Sequence, residues 1–170
     1  MKIVALLVFP FFVFAPLVPC SAQSSKTLPN DLSESKVIFL EYEHIHNNYE
    51  TPYAMRKKNN YRNTLASKAN HELRTEAKYY PFEYKVAKRS DYKNLMEKGY
   101  DYILENDMME AYNNGEQVDA GANKIYSAPM YLLHIKTGIR YELFDVKQTA
   151  VYEYGKIIRR FCKLVKDEFN

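Results

Sequence analysis

Between residues 36 and 86 the apolar side chains change period twice, and that change dictates what the chain can fold into. Residues 36–42, with Val37, Ile38, Phe39, Leu40 and Tyr42, form a short β-branched and aromatic run that suits a buried strand. Over residues 58–78, Tyr61, Leu65, Ala69, Leu73 and Ala77 recur every four positions and draw a stripe along one helix face. Pro81 ends that stripe, and Phe82, Tyr84 and Val86 then alternate with Glu83, Lys85 and Ala87, the pattern of a half-buried strand.

Helix and strand patterns continue to the carboxyl end. Ser90 is placed to cap a helix over residues 91–98, with Asp91 favourable in its first turn and Gly99 in the left-handed position after it. Residues 100–105 start another strand, and most of residues 106–129, which hold Gly115 and Gly121 among Asn, Asp and Glu, read as a long exposed loop. A hairpin follows. A two-residue turn at Thr137 and Gly138 mixes charged and apolar residues on both faces. A three-residue loop over residues 136–138 instead pairs Ile135 with Ile139. It then puts Tyr131, Leu133, Ile135, Ile139, Tyr141 and Leu143 on one face, with Gly138 left-handed in a bulged turn. Ile157, Phe161, Leu164, Val165 and Phe169 mark a closing amphipathic helix whose wet side carries Arg159, Arg160, Lys163 and Lys166.

The order is therefore β-α-β-α-β-β-β-α. Each strand and helix has one apolar side to hide, so the expected architecture is an α+β fold, a mixed sheet of about five strands flanked by about three helices. The two helical crossovers make the first three strands mutually parallel if they share a sheet, while the last strands form an antiparallel meander.

Residues 1–22 predict a compartment. Lys2 precedes an apolar run over residues 3–18, followed by Cys20, Ser21 and Ala22, the layout of a secretory signal peptide. Read as a membrane span, the run falls short of the roughly 20 residues needed and carries Pro10 and Pro16. Cleavage after Ala22 removes 22 of the 170 residues and leaves a soluble chain of 148 that begins at Gln23. The rival route treats residues 17–20 as a lipobox and tethers Cys20 to the outer membrane, but Pro19 stiffens the peptide where a lipid-modifying enzyme needs a small residue. Residues 23–35 are mostly polar and read as a flexible leader, and residues 36–170 as one α+β domain. The expected location is periplasmic or extracellular.

With the leader segment gone, one cysteine, Cys162, remains for certain, so no internal disulfide is available and packing must hold the domain. On a predicted helix, Cys162 reads as a small buried apolar residue. Loss of Lys2 leaves 23 basic against 21 acidic residues, too slight an excess to point to nucleic acid.

Several short motifs carry a resemblance. The strand at residues 36–41, the helix, strand and helix after it, the segment Lys98-Gly99-Tyr100-Asp101-Tyr102-Ile103-Leu104 and the Lys136-Thr137-Gly138 hairpin resemble a group of bacterial envelope domains. These include the lipoprotein activators of peptidoglycan synthases, the periplasmic part of the curli-secretion lipoprotein and the amino-terminal domain of the Tol-system propeller protein. Tyr100 stands where those proteins commonly have a small residue. The resemblance covers about 130 residues in order of elements, and it implies a fold and a binding or assembly role rather than catalytic residues.

Candidate chemistry is sparse. His44 and His46 follow the first strand, and an extended chain points both the same way, as zinc ligands sometimes are; with a distant third ligand they would make a small metal-dependent hydrolase. No phosphate loop or nucleophile elbow is present, and no cofactor is expected, so the sequence favours a secreted, non-enzymatic binding or assembly accessory of the bacterial envelope. Its partner would be an envelope protein or a glycan, with no nucleic acid and with a membrane only through a lipidated Cys20. Met108, Met109, Tyr112 and Tyr126 in the long loop supply adaptable and aromatic contacts for that partner, and Arg159 and Lys163 on the closing helix offer a second surface. The chain has sixteen tyrosines and no tryptophan. Tyr49, Tyr53 and Tyr61 flank Arg56, Lys57 and Lys58, which suggests an anionic or glycan contact.

Overall fold

The computed structural model describes residues 27–107, 127–147 and 151–169, together with the backbone of residues 24–25. It is an α+β fold. The elements are β1 (Ser24–Ser25), β2 (Lys36–Leu40), α1 (Tyr53–Glu76), β3 (Tyr84–Ala87), α2 (Tyr92–Glu97), β4 (Tyr100–Glu105), β5 (Ser127–His134), β6 (Arg140–Lys147) and α3 (Tyr154–Phe169). The strands form one mixed sheet in the order β1-β6-β5-β4-β2-β3. As the crossovers require, β2 is parallel to both β3 and β4, and β4-β5-β6 is an antiparallel meander.

Alternation along β2 decides what each face meets. Val37 and Phe39 face the layer formed by α1 and α3, and Phe39 makes edge contacts with Tyr80, Tyr84 and Phe161 while Tyr80 stacks on Phe161. Ile38 and Leu40 face the other way, toward α2. Both are fully buried because the crossover from β2 to β3 through α1 and the return crossover from β3 past β2 to β4 through α2 run in opposite directions and cover both faces of β2. Tyr154 at the start of α3 is buried and donates its hydroxyl to the Leu40 carbonyl at 2.8 Å, and burial raises its pKa well above the ordinary tyrosine value.

Four local expectations differ from the structure. First, α1 begins at Tyr53, five residues before the apolar stripe does, because its first turns project beyond the core and have no apolar face to show. For the same reason Tyr61 is exposed, and the buried side of the helix runs through Asn59, Ala66, Ala69, Asn70, Leu73 and Glu76. Second, Ser90 is not a cap. It sits inside a 3-10 turn over Arg89–Asp91, and Asp91 reaches back to accept the Lys88 backbone N–H at 3.4 Å. Gly99 does take the left-handed position, with φ of 82°, and returns its N–H to Met96.

Third, the hairpin turns through four residues rather than three. His134 donates to the Ile139 carbonyl and Gly138, with φ of 71°, to the His134 carbonyl. Ile135 leaves the hairpin because its N–H is taken by the Asp101 carbonyl of β4 at 2.8 Å. Leu133 therefore faces Arg140 and Leu132 faces Tyr141, so Tyr141 lies on the opposite face from Tyr131 and Leu133. A bulge at Leu143 adds the missing residue. From there to the strand ends, Met130 with Phe144 and Pro129 with Asp145, the pairing is the one the three-residue loop predicts. Fourth, the polar leader is tied down at three points, the first being the pairing of β1 with β6. Leu32 is fully buried in the core, and Asp31 accepts the Tyr102 hydroxyl at 2.7 Å. One apolar residue among polar neighbours has no period to reveal it.

Candidate functional site

After β2 the chain runs extended along α1 in the opposite direction, held by polar side chains of the helix. Asn70 brackets Tyr42, accepting its backbone N–H at 2.8 Å and donating to its carbonyl at 2.9 Å. Asn63 does the same for Ile45, at 2.8 and 2.9 Å. Asn59 donates to Asn47, which donates in turn to Asn60, at 2.8 and 3.1 Å. The spacings agree: three extended residues span about 10 Å, and seven helical residues rise about 10.5 Å. These bonds satisfy a backbone that belongs to no sheet, and they hold the amino-terminal half of α1 and the turn before it as one rigid projection.

That projection carries most of the exposed large apolar side chains among the described residues. Tyr49, Tyr53, Met55 and Tyr61 are 91%, 77%, 48% and 58% exposed, and Tyr152 joins them through a 3.1 Å contact between its hydroxyl and that of Tyr61. Tyr53, Lys57 and Tyr61 stand at intervals of four on the helix, so they form one row, with Arg56 beside it. Residues 49–62 carry four cations, Arg56, Lys57, Lys58 and Arg62, and one acidic residue, Glu50. Aromatic rings that stay wet, interleaved with cations on a rigid support, can stack on flat ring faces and pair with anions.

The residues expected to bind a partner fall in different places. Arg159 and Lys163 do share a site, lining an open groove of about 340 Å³ with Tyr79, Cys162, Lys166 and Asp167. Arg159 is already engaged there. It holds Glu76 of α1 in a two-pronged pair at 2.9 and 2.6 Å, which lowers the Glu76 pKa below the usual carboxylate range and raises that of Arg159. Arg160 lies 4.1 Å over the Phe144 ring, so part of the basic side of α3 works as packing. Cys162 is buried at the base of the groove, and burial pushes its thiol up to about 11. Met108, Met109, Tyr112 and Tyr126 lie outside the described residues.

His44 and His46 are both exposed, in a segment without regular structure. The Nε2 of His44 is 3.0 Å from Ser67 Oγ, the spacing of a nucleophile and its base. The same hydroxyl, however, donates to the Asn63 carbonyl at 2.9 Å, so the pair is one more rung in the row that docks residues 42–47 on α1. Among the described residues no three His, Cys, Asp or Glu side chains converge as a metal site would need. No described helix is long and apolar enough to cross a membrane.

The tyrosines and cations of residues 49–62 stand out in the sequence, but what makes them a site does not. The available signal was the set Asn59, Asn60, Asn63 and Asn70, unusual for a helix because asparagine competes with helical backbone unless its amide has other work. No protein-family profile matches the chain, and no curated protein or solved structure is significantly similar to it.

Proposed function

We propose that this chain is a non-enzymatic binding or assembly accessory of the bacterial cell envelope, and that it engages an anionic envelope glycan through the row of Tyr53, Lys57 and Tyr61 with Tyr49 and Arg56. The observation that carries the reading is the concentration of exposed tyrosine rings and cations on one braced helix end, since monomeric proteins rarely leave such rings wet without a use. The secretory layout of residues 1–22 and the resemblance to envelope assembly domains support the location. The groove at Arg159 and Lys163 is the second contact in this reading.

Co-sedimentation with purified cell-wall sacculi tests it. The intact chain pellets with the wall at low salt, and a Tyr49→Ala, Tyr53→Ala, Lys57→Ala variant that melts at the same temperature stays in the supernatant. Equal pelleting of both forms overturns the assignment to this surface. Fractionation of the producing cell tests the location, where recovery of the uncleaved precursor in the cytosol overturns it. Intact mass separates a chain starting at Gln23 from one starting at a diacylglycerol-bearing Cys20.

A further inference from the structure

The opposite face of the sheet holds a crevice that the tyrosine surface does not touch. It has a volume of about 180 Å³ and is lined by Leu40, Ile103, Leu133 and Ile135 with Tyr92, Arg89 and Glu105. At about 30 Å³ per water it has room for roughly six, the scale of a small metabolite. It runs along the sheet face from Leu40 and Glu105, the last residues of β2 and β4, to Leu133, which pairs with Ile103 in the middle of β4, and Ile135, whose N–H reaches the Asp101 carbonyl near the start of that strand.

The chemistry of the lining narrows the ligand. Four aliphatic side chains surround one ion pair, Arg89 with Glu105, in which the carboxylate is almost wholly buried and the arginine is part exposed on its 3-10 turn. A ligand bearing only a carboxylate would meet Glu105, and one bearing only an amine would meet Arg89, so either would strand a charge of its own sign in an apolar wall. A zwitterion avoids both. We propose that the crevice binds a free aliphatic α-amino acid, its carboxylate on the Arg89 guanidinium, its ammonium on Glu105 and its side chain against Leu133 and Ile135. Arg89 has solvent on one side and can swing outward to admit the ligand, so one ion pair is replaced by two and the site stays neutral throughout.

Calorimetric titration of the full chain at neutral pH tests this with L-leucine, 4-methylpentanoate and isoamylamine, which keep the same hydrocarbon and remove one charge at a time. Leucine is expected to bind, and each truncated ligand to bind at least about tenfold more weakly, because each leaves one member of the buried pair uncompensated. Leu133→Trp, which fills the crevice from a half-buried position, abolishes leucine binding, and Glu105→Gln weakens it. Should Glu105→Gln fail to fold, Leu133→Trp alone decides. The proposal is overturned if leucine gives no saturable heat up to about 10 mM. It is also overturned if either truncated ligand binds as tightly as leucine, or if the folded Leu133→Trp variant binds leucine as the parent does.

Discussion

Asn70, in the last two turns of α1, holds Tyr42 by both its backbone N–H and its carbonyl, with its amide oxygen and nitrogen at 2.8 and 2.9 Å. The side chain stands in for the edge of a sheet. Where β2 ends, the backbone would otherwise enter the protein with its polar groups unmet, and the asparagine extends strand-like bonding onto a helix surface. The braced tyrosine surface depends on this row.

Asn70→Ala removes two buried hydrogen bonds to the Tyr42 backbone and should cost about 2–4 kcal/mol. Asn63→Ala, at a part-buried rung, should cost less. Urea unfolding checks both, and equal stability of Asn70→Ala and the parent would show that the row does not hold the segment.

Glu76 ties α1 to α3 through Arg159, and its pKa lies below the ordinary 4.5. A carboxylate depressed on folding stabilises the protein above its unfolded pKa, and that contribution is lost as pH falls through the lowered value. The stability gap between the parent and Glu76→Gln should therefore be open at pH 7 and close as pH falls below about 4.5. Thermal midpoints measured at intervals from pH 7 to pH 3 give the curve.

Cys162 should resist alkylation in the native protein. Its thiol is pushed from 9.0 to about 11, which lowers the thiolate fraction about 100-fold, and the sulfur is buried as well. Peptide mass mapping after brief iodoacetamide treatment at pH 8 should find residue 162 unmodified in the folded chain and fully modified in urea. Rapid native labelling would mean the floor of the α3 groove opens.

Gly99 and Gly138 both have positive φ, and a Cβ at either would meet nothing within 4 Å. The cost of Gly99→Ala or Gly138→Ala is thus conformational only, about 1–2 kcal/mol each. Asparagine at either position should recover part of it, which denaturant titration of the four variants can read.

The α3 basic residues show how far local pattern reaches. Their spacing placed them on the wet side of an amphipathic helix, and Arg159 and Lys163 do line one groove. Spacing could not show that Arg159 grips Glu76 or that Arg160 covers Phe144, because both partners come from distant parts of the chain.

Element type and order were legible in residues 36–105 and 154–169 because helix and strand periods are properties of consecutive residues, and β4 begins and ends where its run of residues does. The parallel arrangement of β2, β3 and β4 also followed, since helical crossovers leave few alternatives. What tertiary structure alone decided were the choices made between distant segments. The hairpin register turned on Asp101 taking the Ile135 N–H, the fate of Asn59, Asn63 and Asn70 on a strand-like segment passing antiparallel to them, and the meeting of Arg89 with Glu105 on a crossover that brings β4 beside β2. Each is a bond whose partner lies far away in sequence, and its geometry exists only once the sheet has formed.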